Sequence, residues 1–178
     1  MTTKNKIIVS LAIITGFTVQ SYASPVTDYY AGAEFGAGSG MIFDSGNHKS
    51  AASTSFGLFA GIDIPVFRFE AEYRHIDGNN LHTNQAMINA YFKMISTVVH
   101  PYSGAGVGTI FGGHGIDDAS VSTTAGYQGM LGLTFDLPAM PLVFDVEARA
   151  LYVPDIYDFN KSPDLLNYGG NIKLRYVF

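Results

Sequence analysis

Polar and apolar residues alternate one by one through much of the chain beyond residue 24, the period of extended strands rather than of helices. The clearest run is Phe67 to Arg74, where Phe67, Phe69, Ala71 and Tyr73 share one face and Arg68, Glu70, Glu72 and Arg74 share the other. Leu142 to Ala150 repeats the arrangement, with Phe144, Val146, Ala148 and Ala150 opposite Asp145, Glu147 and Arg149. Near 86–94, Ile88, Ala90, Phe92 and Met94 oppose Asn89, Tyr91 and Lys93. Weaker segments lie about 29–37, 54–62, 102–111 and 124–135, and a last one about 166–178 closes with Asn171, Lys173 and Arg175 against Ile172, Leu174, Tyr176 and Phe178. Four charges on one strand face cannot enter an apolar core. A strand that is apolar on one side and charged on the other suits a barrel set between lipid and a wet interior. The pattern therefore predicts an all-β fold, an eight-stranded antiparallel transmembrane β-barrel with up-and-down meander connectivity.

Connection lengths point the same way. After the first strand they alternate long (about 42–52), short (63–65), long (77–84), short (96–100), long (113–122), short (136–141) and long (153–164). Short turns on one side and longer loops on the other are the asymmetry of outer-membrane barrels, with both termini on the short-turn, periplasmic side.

The N-terminus reads as an address. Lys4 and Lys6 precede an apolar run from Ile7 to Phe17, and Ser21 and Ala23 supply small residues at the positions a signal peptidase inspects. Cleavage is expected between Ala23 and Ser24, so that residues 1–23 are a signal peptide and 24–178 the barrel. The apolar run is far shorter than the ~20 residues that span a bilayer as a helix. Losing Lys4 and Lys6 takes the formal charge from −5 to −7. The chain has no Cys, which excludes a disulfide framework and a lipid-anchored cysteine. Twenty Gly, eleven Tyr, thirteen Phe and no Trp make a Gly-aromatic composition poor in helix formers.

Three stretches carry a family likeness. Pro101-Tyr102-Ser103-Gly104-Ala105-Gly106-Val107-Gly108, Ala125-Gly126-Tyr127-Gln128-Gly129 and the closing Lys173-Leu174-Arg175-Tyr176-Val177-Phe178 resemble the fifth, sixth and eighth strands of OmpA/OmpX-type eight-stranded outer-membrane barrels. The likeness implies integral residence in a Gram-negative-type outer membrane. It also implies that Ile172, Leu174, Tyr176 and Phe178 form the C-terminal signal read by the barrel-assembly machinery. The sequence departs from the two-domain members in ending at the barrel, so their peptidoglycan-binding domain is not expected.

Strand parity sends Glu34, Arg68, Glu70, Glu72, Arg74, Lys93, Asp145, Glu147, Arg149, Lys173 and Arg175 inward, six bases against five acids. An eight-stranded interior is only wide enough for side chains to fill it. A plug of ion pairs follows, with a narrow or gated ion path as the alternative. Gly104, Gly106 and Gly108 share one face, where small residues make room for a crowded lumen.

The loops are left with Asp44, Asp77, Asp117, Asp118, Asp155, Asp158 and Asp164 against Lys49 and Lys161. An acidic end argues against nucleic acid and heparin and leaves basic surfaces or divalent cations as partners. The partners expected are outer-membrane lipid, the assembly machinery and host or environmental surface ligands at the outer loops. Catalytic constellations are thin. His48-Lys49-Ser50 falls in the first loop with no fixed acid; His114 with Asp117 and Asp118 is a metal candidate; His75, with Asp77 and His82 in the second loop, has outward parity; His100 precedes Pro101 in a turn. No cofactor, metal or catalytic residue is called. The function expected is a structural or surface-interaction role, adhesin-like or antigen-like, with a small-conductance pore and a lipid-modifying or proteolytic enzyme as alternatives.

Overall fold

A computed structural model describes residues 27–44, 47–78, 81–94, 99–114, 123–137, 140–154 and 164–178. Among them every regular element is a strand: β1 (Asp28–Asp44), β2 (Asn47–Asp63), β3 (Phe67–Gly78), β4 (Leu81–Lys93), β5 (Val99–His114), β6 (Thr124–Asp136), β7 (Leu142–Val153) and β8 (Asp164–Val177). Each pairs antiparallel with its sequence neighbour, and β8 returns to β1, which closes the barrel. Closure leaves no sheet edge in the lipid, where an unpaired backbone group would find no water. The seam is fastened at the terminus, where the Phe178 amide donates to the Tyr29 carbonyl at 2.9 Å.

The predicted polarity holds strand by strand. On β3, burial alternates at every residue from Phe67 to Asp77, with the charged set inside. Outside, a belt of Leu58, Ile88, Val107, Leu131, Val146 and Ile172 is exposed, Leu131 at 66%. Aromatic residues flank the belt. Tyr29, Phe67, Phe92, Tyr176 and Phe178 ring the end that carries the termini, with Phe67 edge-on to Phe92 at 5.8 Å and Tyr176 to Phe178 at 5.3 Å. Tyr73, Tyr127, Tyr152 and Tyr168 ring the other. Two aromatic girdles around an apolar band are the outer surface a bilayer selects.

The outer connections correct the sequence reading. Asp44 pairs with Asn47, and Gly78 with Leu81, so the first two are two-residue hairpins rather than long loops. His48 and Ser50 consequently stand on β2, His75 on β3 and His82 on β4. The reason is that Gly38, Ser39, Gly40, Ser50, Thr83 and Asn84 carry the strands above the lipid, where both faces are wet. Backbone pairing persists there after hydrophobic alternation has ended. Length asymmetry survives only in the connections after β5 and β7.

One register shift interrupts the wall. Pairing jumps from Thr83↔Gly113 to Asn84↔Phe111, leaving Gly112 as the extra residue of a bulge with φ +56°. Only glycine takes that backbone without cost. The signal cleavage position lies outside the described residues.

Candidate functional site

The interior is built in layers. Nearest the termini, Asp145 on β7 receives Arg175 Nε at 2.9 Å and Nη2 at 3.1 Å, a two-pronged pairing that suits a planar guanidinium. The Thr134 hydroxyl donates to the same carboxylate at 2.5 Å, and Arg68 Nη1 lies 3.4 Å from it. Asp63 joins the layer by accepting from Arg175 Nη1 at 3.2 Å and pairing with Lys93. Arg68 is enclosed by rings as well as by charge, its guanidinium carbon 4.1 Å from the Tyr91 centroid and 4.6 Å from that of Tyr102.

Above it, Glu70 gathers four donors from three strands. Lys173 Nζ approaches to 2.6 Å, the Tyr91 hydroxyl to 3.0 Å and the Tyr30 hydroxyl to 3.1 Å, with Asn89 Nδ2 at 3.4 Å. The Lys173 ammonium also sits 4.3 Å over the Phe59 ring. Higher still, Arg149 binds Glu147 at 2.6 Å, Glu72 at 2.7 Å and Glu34 at 3.2 Å, while Arg74 Nε donates to Glu34 at 2.6 Å. Gln85 and Asn89 donate to Glu72, the Tyr102 hydroxyl donates to Glu147, and Gln128 donates to Asn89 Oδ1.

The sheet makes room for this. β5 and β6 send no charge inward among the described residues but place Gly104, Gly106 and Gly132 there. A Cβ on these would collide with the Tyr91 ring, the Asn89 side chain and the Tyr102 ring respectively. Each glycine thus makes room for the large polar side chain paired with it on the neighbouring strand.

All eleven sequence-selected charges lie inside the barrel; Lys93 keeps 15% of its side chain exposed and the other ten are buried. Sequence reasoning missed Asp63, which it placed in a turn. Its inward parity with Phe59 and Gly61 was the available signal. Adding Asp63 makes six acids against six bases, so the lumen set is formally neutral. The polar partners Tyr30, Tyr91, Tyr102, Asn89 and Gln128 were also missed as members, because only ionisable residues were counted. Nor did the pattern reveal the apolar layer that caps the charges, Ile76, Met87, Ile110, Leu151, Val153 and Leu165.

Histidines stand apart from this interior. His75 Nδ1 meets Asn84 Oδ1 at 2.9 Å, His82 Nδ1 meets Asp77 Oδ1 at 2.8 Å, and His100 Nε2 meets Asp136 Oδ2 at 3.0 Å. None of these contacts involves a Ser or Thr hydroxyl. Among the described residues no three His, Asp and Glu side chains converge on a metal position. The side chains of His48, Lys49 and His114, and all of Asp117 and Asp118, lie outside the described part.

No family model and no curated protein matches the sequence. Solved structures do match. The Neisserial surface protein A NspA aligns at 19% identity over 84% of this chain and 97% of its own, with TM-score 0.65. The fold is that of the small eight-stranded outer-membrane barrels. The outer membrane enzyme PagL aligns at 14% identity over 80% of this chain and 97% of its own, TM-score 0.52. Ail, the attachment invasion locus protein of Yersinia pestis, aligns at 14% over 84% of this chain and 99% of its own, TM-score 0.50, in a structure with the heparin analogue sucrose octasulfate. A surface protein, an enzyme and an attachment protein share this architecture, so the fold does not choose among such roles.

Proposed function

We propose that this chain is an integral outer-membrane protein with a structural and surface-interaction role, its termini periplasmic and its lumen closed by the ion-pair plug. The single observation that carries the reading is the inversion of polarity. Six acids and six bases are neutralised inside, while an apolar belt between two aromatic girdles faces outward. A soluble sandwich would place these two sets the other way round. The remaining freedom to act lies at the outer end, where the sequence puts Asp117, Asp118, Asp155 and Asp158 on the two longer connections. A basic surface is the partner such an end recruits, in contrast to the sulfated ligand of Ail. The non-enzymatic reading is supported by the contacts of His75 with Asn84 and of His82 with Asp77, an amide and an acid.

The test is to display the full chain on a Gram-negative host and compare adsorption to surfaces coated with basic and with sulfated polymer. Enhanced retention on the basic surface, lost when the four aspartates become asparagine and reduced by high salt, is the expected result. Recovery of the chain in the soluble periplasmic fraction, or retention indifferent to those aspartates, would overturn the reading.

A further inference from the structure

The outer half of the lumen is not uniform around its circumference. On the side of β3, β4, β5 and β7, capped by Leu165 of β8, the apolar layer is sealed, with Ile110 and Val153 at 0% exposure. On the wall made by β8, β1 and β2, the inward positions at the same level are Gly38, Ser53, Ser55, Asn167 and Gly169, each partly exposed. Leu165 apart, small and polar residues stand on this wall where the opposite side carries the apolar cluster.

Two cavities follow it. One, of about 500 Å³, is an open groove at the rim lined mostly by the outward-facing row Ala37, Thr54, Asp77 and His82, so it runs along the outer side of this wall. A second, of about 10 Å³, lies deeper against Ser55, Asn167, Asn171, Arg74 and Arg149. The two share Ala37, Gly38 and Ser53, so they lie against the same stretch of wall. The deeper one is about one water in size and is lined by several polar groups, the conditions under which a buried site is hydrated. Arg74 Nη2, at its floor, lies within ion-pair distance of Glu34 and Glu72 but makes a well-directed hydrogen bond to neither.

We propose that the barrel holds a one-sided vestibule, in which water and small inorganic ions enter at the open outer end of the lumen and descend the β8–β1–β2 wall toward the layer of Arg74 and Arg149. Below them the layers around Glu70 and Asp145 close the floor, so the vestibule does not continue as a pore. The upper layer of the plug is thereby solvated from the outside, while Asp63 and Lys93 keep partial exposure at the other end.

The chain has no native cysteine, which makes single-cysteine variants clean reporters. Ser53→Cys and Ser55→Cys on the polar wall, and Ile110→Cys and Leu151→Cys on the sealed side, are refolded into lipid vesicles, and only folded, heat-modifiable protein is scored. Small methanethiosulfonate reagents of either charge, added outside, are expected to label the two serine positions at least tenfold faster than the two apolar ones. Ser55→Cys should also exclude a bulky maleimide that Ser53→Cys admits. Equal rates at Ser55→Cys and Ile110→Cys, or faster labelling on the apolar side, would overturn the vestibule. Neither result bears on whether the outer end recruits basic surfaces.

Discussion

Glu70 and Ala71 are adjacent in the chain and meet different solvents, the one a buried lysine and tyrosines, the other the lipid belt. Ala71→Arg should destabilise the barrel by about 2–4 kcal/mol, the cost of a cation on the lipid face near the midplane. Glu70→Ala leaves Lys173 buried without its 2.6 Å partner, and losing one member of a buried pair costs about 3–5 kcal/mol. Replacing both, as Glu70→Gln with Lys173→Met, should recover much of the second loss and none of the first. Denaturant titrations of barrels refolded in vesicles read all three; a tolerated Ala71→Arg beside a collapsing double variant would mean that the faces are inverted. Arg149 is the most connected of the lumen cations, touching Glu34, Glu72 and Glu147. Arg149→Met should therefore cost at least as much as Glu70→Ala, because it leaves three carboxylates facing one another, and the same titration measures it.

Among the elements, β3 and β7 were legible where lipid on one side and charge on the other impose period two, from Phe67 to Arg74 and from Phe144 to Arg149; beyond those residues Ile76, Leu151 and Val153 turn inward without charge. β1 and β2 were legible only as far as the lipid reaches. Above it, Gly38, Gly40, Ser50 and Ala51 have no apolar partner to alternate with, and backbone pairing alone extends the hairpin to Asp44 and Asn47. The charged interior could be read from parity, whereas the apolar layer of Ile76, Met87 and Leu151 could not, since an inward apolar residue breaks the rule that identifies the inside. Gly112 marks where β5 accommodates an extra residue. Gly112→Val, forced to φ +56°, should lose at least about 1–2 kcal/mol relative to the parent in the same titrations, and Gly129→Val, which meets open space, should lose less. At the seam, Phe178 closes β8 onto Tyr29 and completes the outward stripe begun by Ile172. Deleting Phe178 should lower the outer-membrane yield more than deleting one residue from the connection after β7, as read by fractionation; equal yields would remove Phe178 from assembly.

At the scale of the whole molecule, closure, the girdles and the neutral interior are one solution to one constraint. A chain that places charges on its strands can cross a membrane only if those charges meet each other inside and its backbone leaves no edge outside. Methyl groups on both faces make this directly measurable in the unaltered protein. In lipid nanodiscs, NMR cross-relaxation from acyl chains should reach the methyls of Ala71, Ile88, Val107, Leu131, Val146 and Ile172, and should not reach those of Met87, Ile110, Met130 and Leu151. Acyl contacts to Met87 and Leu151, with Ile88 and Leu131 dry of lipid, would contradict the barrel described above.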